Sequence, residues 1–162
     1  MPNPKPTRKS LGAWYTPIDL LDIVTTNVLQ DFTALADEVG WPRSRPVRLL
    51  DPACGDGRFL DAVRVRLHLD GYVVRAVGCD VDADALAAIR HPAVRTIHAD
   101  ALTHDWGDEH FDIVVGNPPF LSQMSGATTR GGSSKHGGGP YANAAAEFLS
   151  LAIRLADPAG AG

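Results

Sequence analysis

The chain has 162 residues, 44% hydrophobic and 21% charged, which suits one globular domain with a real core. No apolar run approaches the roughly 20 residues that span a bilayer, and the Pro-rich basic start lacks the apolar stretch of a signal peptide, so residues 1–10 read as a flexible arm of a cytoplasmic protein. A net charge of −4 excludes a protein that grips nucleic acid over its whole surface; two cysteines exclude a disulfide scaffold; and the six histidines form no ligand set with Cys or carboxylates, so no metal is expected.

A domain then begins at residue 11. Thr16 followed by Pro17 starts a helix, as N-cap and first helical residue. Ile18, Leu21, Val24, Val28, Phe32, Leu35 and Val39 recur at spacings of three and four, so the helix runs to about Glu38 and Gly40 ends it. A Pro/Arg-rich connector follows. Residues 47–51 read as a strand, 52–57 as a tight loop, 59–69 as a helix and 73–79 as a second strand. A helix over 83–90, closed by His91-Pro92, precedes a third strand over 94–98, and 111–115 is a fourth. Residues 122–140 hold six glycines and read as a flexible loop. The segment 144–156 is helical, with Phe148, Leu149, Ala152, Ile153 and Leu155 apolar. Strands alternating with helices predict a doubly wound, mostly parallel α/β sheet.

Asp51-Pro52-Ala53-Cys54-Gly55-Asp56-Gly57 follows the first strand and opens a helix. Ligands of open α/β sheets bind outside the carboxyl ends of strands, where glycines let the backbone approach closely. The loop lacks the Lys-Ser/Thr of a P-loop. Asp51, Asp80 and Asp100 each end one of three successive strands. A carboxylate closing the second strand is placed to accept from ribose hydroxyls. With no third pyrophosphate-binding glycine, a nucleoside without phosphates fits better than NAD. S-adenosylmethionine is such a nucleoside, and its ammonium and sulfonium charges suit acids. Cys79 reads as a small buried residue.

The segment Phe111-Asp112-Ile113-Val114-Val115-Gly116 leads into Asn117-Pro118-Pro119-Phe120. Two prolines fix two φ angles and remove two donors, leaving rigid carbonyl acceptors. The Asn117 side chain adds another acceptor and Phe120 a flat apolar face. That set suits an exocyclic amino group on an aromatic ring. Accepting both N–H bonds, at Asn117 Oδ1 and the Pro118 carbonyl, draws the nitrogen toward sp³ and aims its lone pair at a methyl donor.

These motifs resemble the amino-group DNA methyltransferases, the N6-adenine (N-6 DNA methylase) family, from about Gly12 onward. The resemblance implies a Rossmann-like S-adenosylmethionine-dependent sheet of order 3-2-1-4, truncated after the fourth strand and its following helix. It implies that Tyr15, Thr16, Asp51, Pro52, Ala53, Gly55, Gly57, Asp80, Val81, Asp100, Ala101 and Asn117 bind the cofactor. Thr16 would approach the methionine carboxylate, and Val81 and Ala101 the adenine ring. Asn117, Pro118, Pro119 and Phe120 would be catalytic, acting on an adenine flipped out of DNA.

Asn117 comes 17 residues after Asp100. This resembles the gamma motif order, with target recognition after the catalytic half and beyond this chain. The fourth strand would be an open edge, and a further polypeptide would supply strands and recognition. A restriction-modification role fits the same resemblance. Protein glutamine and RNA guanine-N2 methyltransferases share the Asn-Pro-Pro-aromatic loop and form the alternative enzyme reading. A catalytically incomplete cofactor-binding fragment or subunit is the non-enzymatic one.

Overall fold

The fold is that of a computed structural model describing residues 18–117 and 144–156. Tyr15, Thr16, Pro118, Pro119, Phe120, the 1–10 arm and the 122–140 loop lie outside the described residues. The elements are α1 (Ile18–Glu38), β1 (Val47–Asp51), α2 (Arg58–Leu69), β2 (Val74–Asp80), α3 (Ala83–Leu86), β3 (Val94–His98), β4 (Ile113–Val114) and α4 (Ala144–Leu155). The four strands form one sheet in the order β3-β2-β1-β4, and every pairing is parallel. The expected architecture and strand order are therefore present.

Period-two alternation splits each strand between two cores. Val47, Leu49, Val74, Ala76 and Ile113 face α1 and α2, where Leu29, Phe32, Val63 and Leu67 cover them. Leu50, Val77 and Cys79 face the other way, beneath Leu151 and Leu155 of α4 and beside Trp106 and Phe111. Each fully buried aliphatic side chain contributes about 1.5–3 kcal/mol of burial.

Helix α1 buries Thr25, Leu29, Phe32 and Ala36, while Val39 is 41% exposed. Gly40 (φ +64°) and a Trp41 amide bond back to the Ala36 carbonyl turn the chain, and Trp41 then packs edge-on against Phe32.

Two expected elements differ. Helix α3 ends at Leu86, not near Arg90. The amides of Ala88 and Ile89 reach back only three residues, which bends the chain so that Ile89 lies against Gly57. Strand β4 is two residues long, because the Asp112 carboxylate accepts from the Arg48 amide at 2.7 Å where a ladder carbonyl would otherwise stand. The backbone bonds Asp112 N–H to Arg48 and Val115 N–H to Leu50 still keep its neighbours alongside β1. Helix α4 turns Glu147, Leu151 and Leu155 inward and leaves Leu149 and Ile153 exposed.

Among the described residues β4 pairs only with β1 and ends the sheet. Just before it, Phe111 and Ala156 form an isolated parallel bridge, with the Phe111 amide donating to the Leu155 carbonyl at 2.8 Å.

Candidate active site

Parallel strands bring their carboxyl ends to one side, so Asp51, Asp80 and the turn at Asp100 gather with Gly116 and Asn117. The three aspartates share one geometry. Oδ1 of Asp51 accepts from the Ala53 amide at 3.0 Å, Oδ1 of Asp80 from Asp82 at 2.9 Å, and Oδ1 of Asp100 from Leu102 at 3.0 Å. Each carboxylate folds the chain over the end of its strand.

The glycine loop is tied to β2. The Cys54 amide donates to the Cys79 carbonyl at 3.0 Å, and the Gly55 amide to Asp80 Oδ2 at 2.7 Å. Two glycines make this approach possible. A Cβ on Gly78 would stand 2.8 Å from Cys54 Sγ, and one on Gly57 (φ +81°) 2.8 Å from Ile89. Asp80 thus accepts one backbone N–H at each oxygen and keeps further lone pairs for hydroxyl donors. Pro52 and Gly57 are buried, Ala53 and Gly55 half-buried.

Asp51 is 1% exposed. Burial pushes its carboxyl up to about 7; the Ala53 N–H opposes the rise and the charge of Asp80 adds to it. Burial, with the nearby acids, also raises both thiols, Cys79 to about 11 and Cys54 further. Neither is a thiolate at neutral pH. Cys54 lies against Gly78 and Leu60, Cys79 in the core on the opposite sheet face.

Gly116 connects the loop to the chemistry segment. A Cβ there would meet Asp51 Oδ1 at 3.1 Å and Pro52 Cδ at 3.5 Å. Asn117, the next residue, is half-buried. Val81 is 51% exposed and Ala101 2%, and Asp100 is exposed. Three residues that the sequence pattern did not connect with the site stand against it. Asp82 caps α3 by accepting from Asp84 and Ala85. His98 and Trp106 reach the carbonyls of Val81 and Ala101. Asp82 carried a sequence signal, an acid just before a helical run; the other two carried none.

The family model described as N-6 DNA Methylase matches residues 3–162. The chain belongs to the N-6 DNA methylase family. This methylase-family chain is 30% identical over 123 residues to Type II methyltransferase M.CvrRI of Paramecium bursaria Chlorella virus XZ-6E, covering 75% of this chain and 28% of that protein. It is 44% identical over 73 residues to Type II methyltransferase M.TthHB8I of Thermus thermophilus, covering 45% and 16%. It is also 34% identical over 91 residues to the release factor glutamine methyltransferase of Chlorobaculum tepidum, covering 49% and 30%. The chain thus spans less than a third of the length of these relatives. The fold matches that of a type I restriction-modification methyltransferase subunit from Streptococcus thermophilus, with TM-score 0.61 and 19% identity over 91% of this chain and 34% of that one.

Family membership makes S-adenosylmethionine the methyl donor. The site fits it: a close backbone loop, two carboxylates bracketing that loop, and no lysine in the loop to meet a phosphate. Among the described residues no group of His, Cys, Asp and Glu could hold a metal, and no helix is long and apolar enough to cross a membrane.

Proposed function

We propose that this chain is the cofactor-binding and catalytic part of an enzyme that methylates the N6 amino group of adenine in DNA. The observation that carries the reading is the contact of Gly116 with Asp51, which joins the cofactor loop to the segment presenting Asn117.

When bound, S-adenosylmethionine supplies an electrophilic methyl group on a sulfonium. Asp80 would accept from the ribose hydroxyls, and Val81 and Ala101 would wall the adenine ring, with Asp100 at its edge. The loop of Pro52, Ala53, Gly55 and Gly57 would hold the methionine part, with Asp51 fixing that loop, and Tyr15 and Thr16 would serve the carboxylate end. Asn117 Oδ1 and the Pro118 carbonyl would accept the two N–H bonds of the target amino group, Pro119 would stiffen the turn and Phe120 would stack on the base. The amino nitrogen would take the methyl carbon as its bond to sulfur breaks, and would then lose a proton to solvent. No base is required beforehand, which agrees with the two buried, protonated thiols. The target base leaves the duplex to reach the site. Relatives named as type II methyltransferases support DNA as substrate and a restriction-modification setting.

Similarity to release factor glutamine methyltransferases favours a second reading, in which the planar amide of a protein glutamine is the acceptor. Tritiated methyl donor offered together with unmethylated DNA, RNA and a release factor separates the two. The proposal expects label in DNA, with Asn117→Ala losing about 10²–10³ in rate while cofactor binding persists. Label in protein or RNA alone overturns it.

A further inference from the structure

The two loops expected to face the cofactor's adenine are built alike. In the first, the peptide joining Val81 to Asp82 gives its N–H to Asp80 Oδ1 at 2.9 Å, and its carbonyl lies 3.1 Å from His98 Nε2. In the second, the peptide joining Ala101 to Leu102 gives its N–H to Asp100 Oδ1 at 3.0 Å, and its carbonyl accepts from Trp106 Nε1 at 3.0 Å. Each peptide plane is therefore held at both polar groups. A carboxylate alone would fix only the N–H and leave the plane free to tilt.

The two ring donors reach the loops differently. His98, itself exposed, ends β3 in register with Asp80. A carbonyl has no proton to give, so His98 carries hydrogen on Nε2, which holds for that neutral tautomer and for the imidazolium alike. Trp106 is 2% exposed, and its indole is set edge-on between His104 at 4.8 Å and Phe111 at 6.0 Å. The donors come from opposite sides of the pair of loops and use unrelated chemistry for the same end.

We propose that His98 and Trp106 are positioning residues for the adenine end of the cofactor, each locking the peptide plane that aims one wall of the adenine slot, Val81 or Ala101. The proposal rests on the reading of these loops as the S-adenosylmethionine site. A flipped plane would turn a carbonyl toward the slot and swing the wall side chain away. The locks thus fix both peptide planes before the ligand arrives, and part of the ordering cost of binding is met in advance.

The test is equilibrium binding of S-adenosylmethionine to the purified chain by calorimetry. His98→Ala is expected to weaken binding about two- to tenfold, the usual effect of one lost neutral hydrogen bond. His98→Gln, which offers an N–H at similar reach, recovers most of it. Trp106→Phe keeps one aromatic ring in the core but removes the donor together with the rest of the indole, and shows a loss of at least the same size. In a Val81→Gly background, which has no wall to aim, His98→Ala adds nothing further. Wild-type affinity in His98→Ala and Trp106→Phe, with Asp80→Ala binding abolished, overturns the positioning role and leaves the site reading intact. So does a His98→Ala loss that persists unchanged in the Val81→Gly background. No binding by the wild-type chain overturns the site reading itself.

Discussion

The Gly55 amide donates to Asp80 Oδ2 at 2.7 Å, so the carboxylate that closes β2 also holds the loop that follows β1. One side chain serves two purposes, loop geometry and ligand recognition. Asp80→Asn cannot accept at both oxygens and places an N–H against one of two backbone amides. Cofactor affinity is expected to fall about 10- to 100-fold, the range for a lost hydrogen bond to a charged group. Calorimetric titration checks this, with far-ultraviolet circular dichroism expected to be unchanged.

A side chain on Gly116 would be a tight fit. An alanine Cβ would lie 3.1 Å from Asp51 Oδ1, and that carboxyl is itself held by the Ala53 amide. The strain is relieved by moving the chain that carries Asn117. Gly116→Ala is expected to lower kcat roughly tenfold, since small misplacements of a reacting group cost rate steeply, while cofactor affinity stays near wild type. Equal losses in both would show that Gly116 serves the cofactor loop instead.

Asp51 titrates near 3.8 when unfolded and is raised to about 7 in the fold, chiefly by burial. Between those values the native state binds more protons than the unfolded one. Stability from this group therefore falls as pH rises from about 4 to about 7, and is level above that. Urea midpoints should drop over this window in the wild-type chain and drop less in Asp51→Asn, whose side-chain oxygen still accepts from Ala53. A cationic cofactor favours the ionised carboxyl. Binding near pH 7 should then release protons, measurable as a dependence of binding heat on the buffer's ionisation enthalpy.

Much of this was legible in the chain. β1 and β2 carry apolar residues that end in an aspartate and a turn, and those aspartates mark the ligand side; β3, Val94–His98, has only Val94 and Ile97 to mark it. The differences lie outside what local pattern can say. Ala87, Ala88 and Ile89 are acceptable helix residues, and nothing in their pattern signals the tightened turn after Leu86 that brings Ile89 against Gly57. Helix α4 has a polar stripe at Glu147, Ser150 and Arg154, yet Glu147 faces in while Leu149 and Ile153 face out, the reverse of what its period alone suggests. The contact of His98 with Val81 spans 17 positions and depends on strand register, which no local pattern reveals.

Gly78 tests the fit of loop to sheet. Its missing Cβ leaves space for Cys54 Sγ, which would otherwise lie 2.8 Å away, and for Leu60 at 3.2 Å. Gly78→Ala is expected to destabilise the fold by about 1–3 kcal/mol through overpacking. Adding Cys54→Ala removes the sulfur and should restore most of that loss in urea unfolding. Strictly additive costs would show that the two residues do not share the space.

The identity of the methylated atom decides the central claim. Unmethylated DNA incubated with the enzyme and S-adenosylmethionine, then digested to nucleosides and resolved by mass spectrometry, should contain N6-methyladenine, and Asn117→Ala should remove most of it. Methylation at cytosine N4, or unmodified DNA alongside a methylated glutamine side chain, would contradict the account.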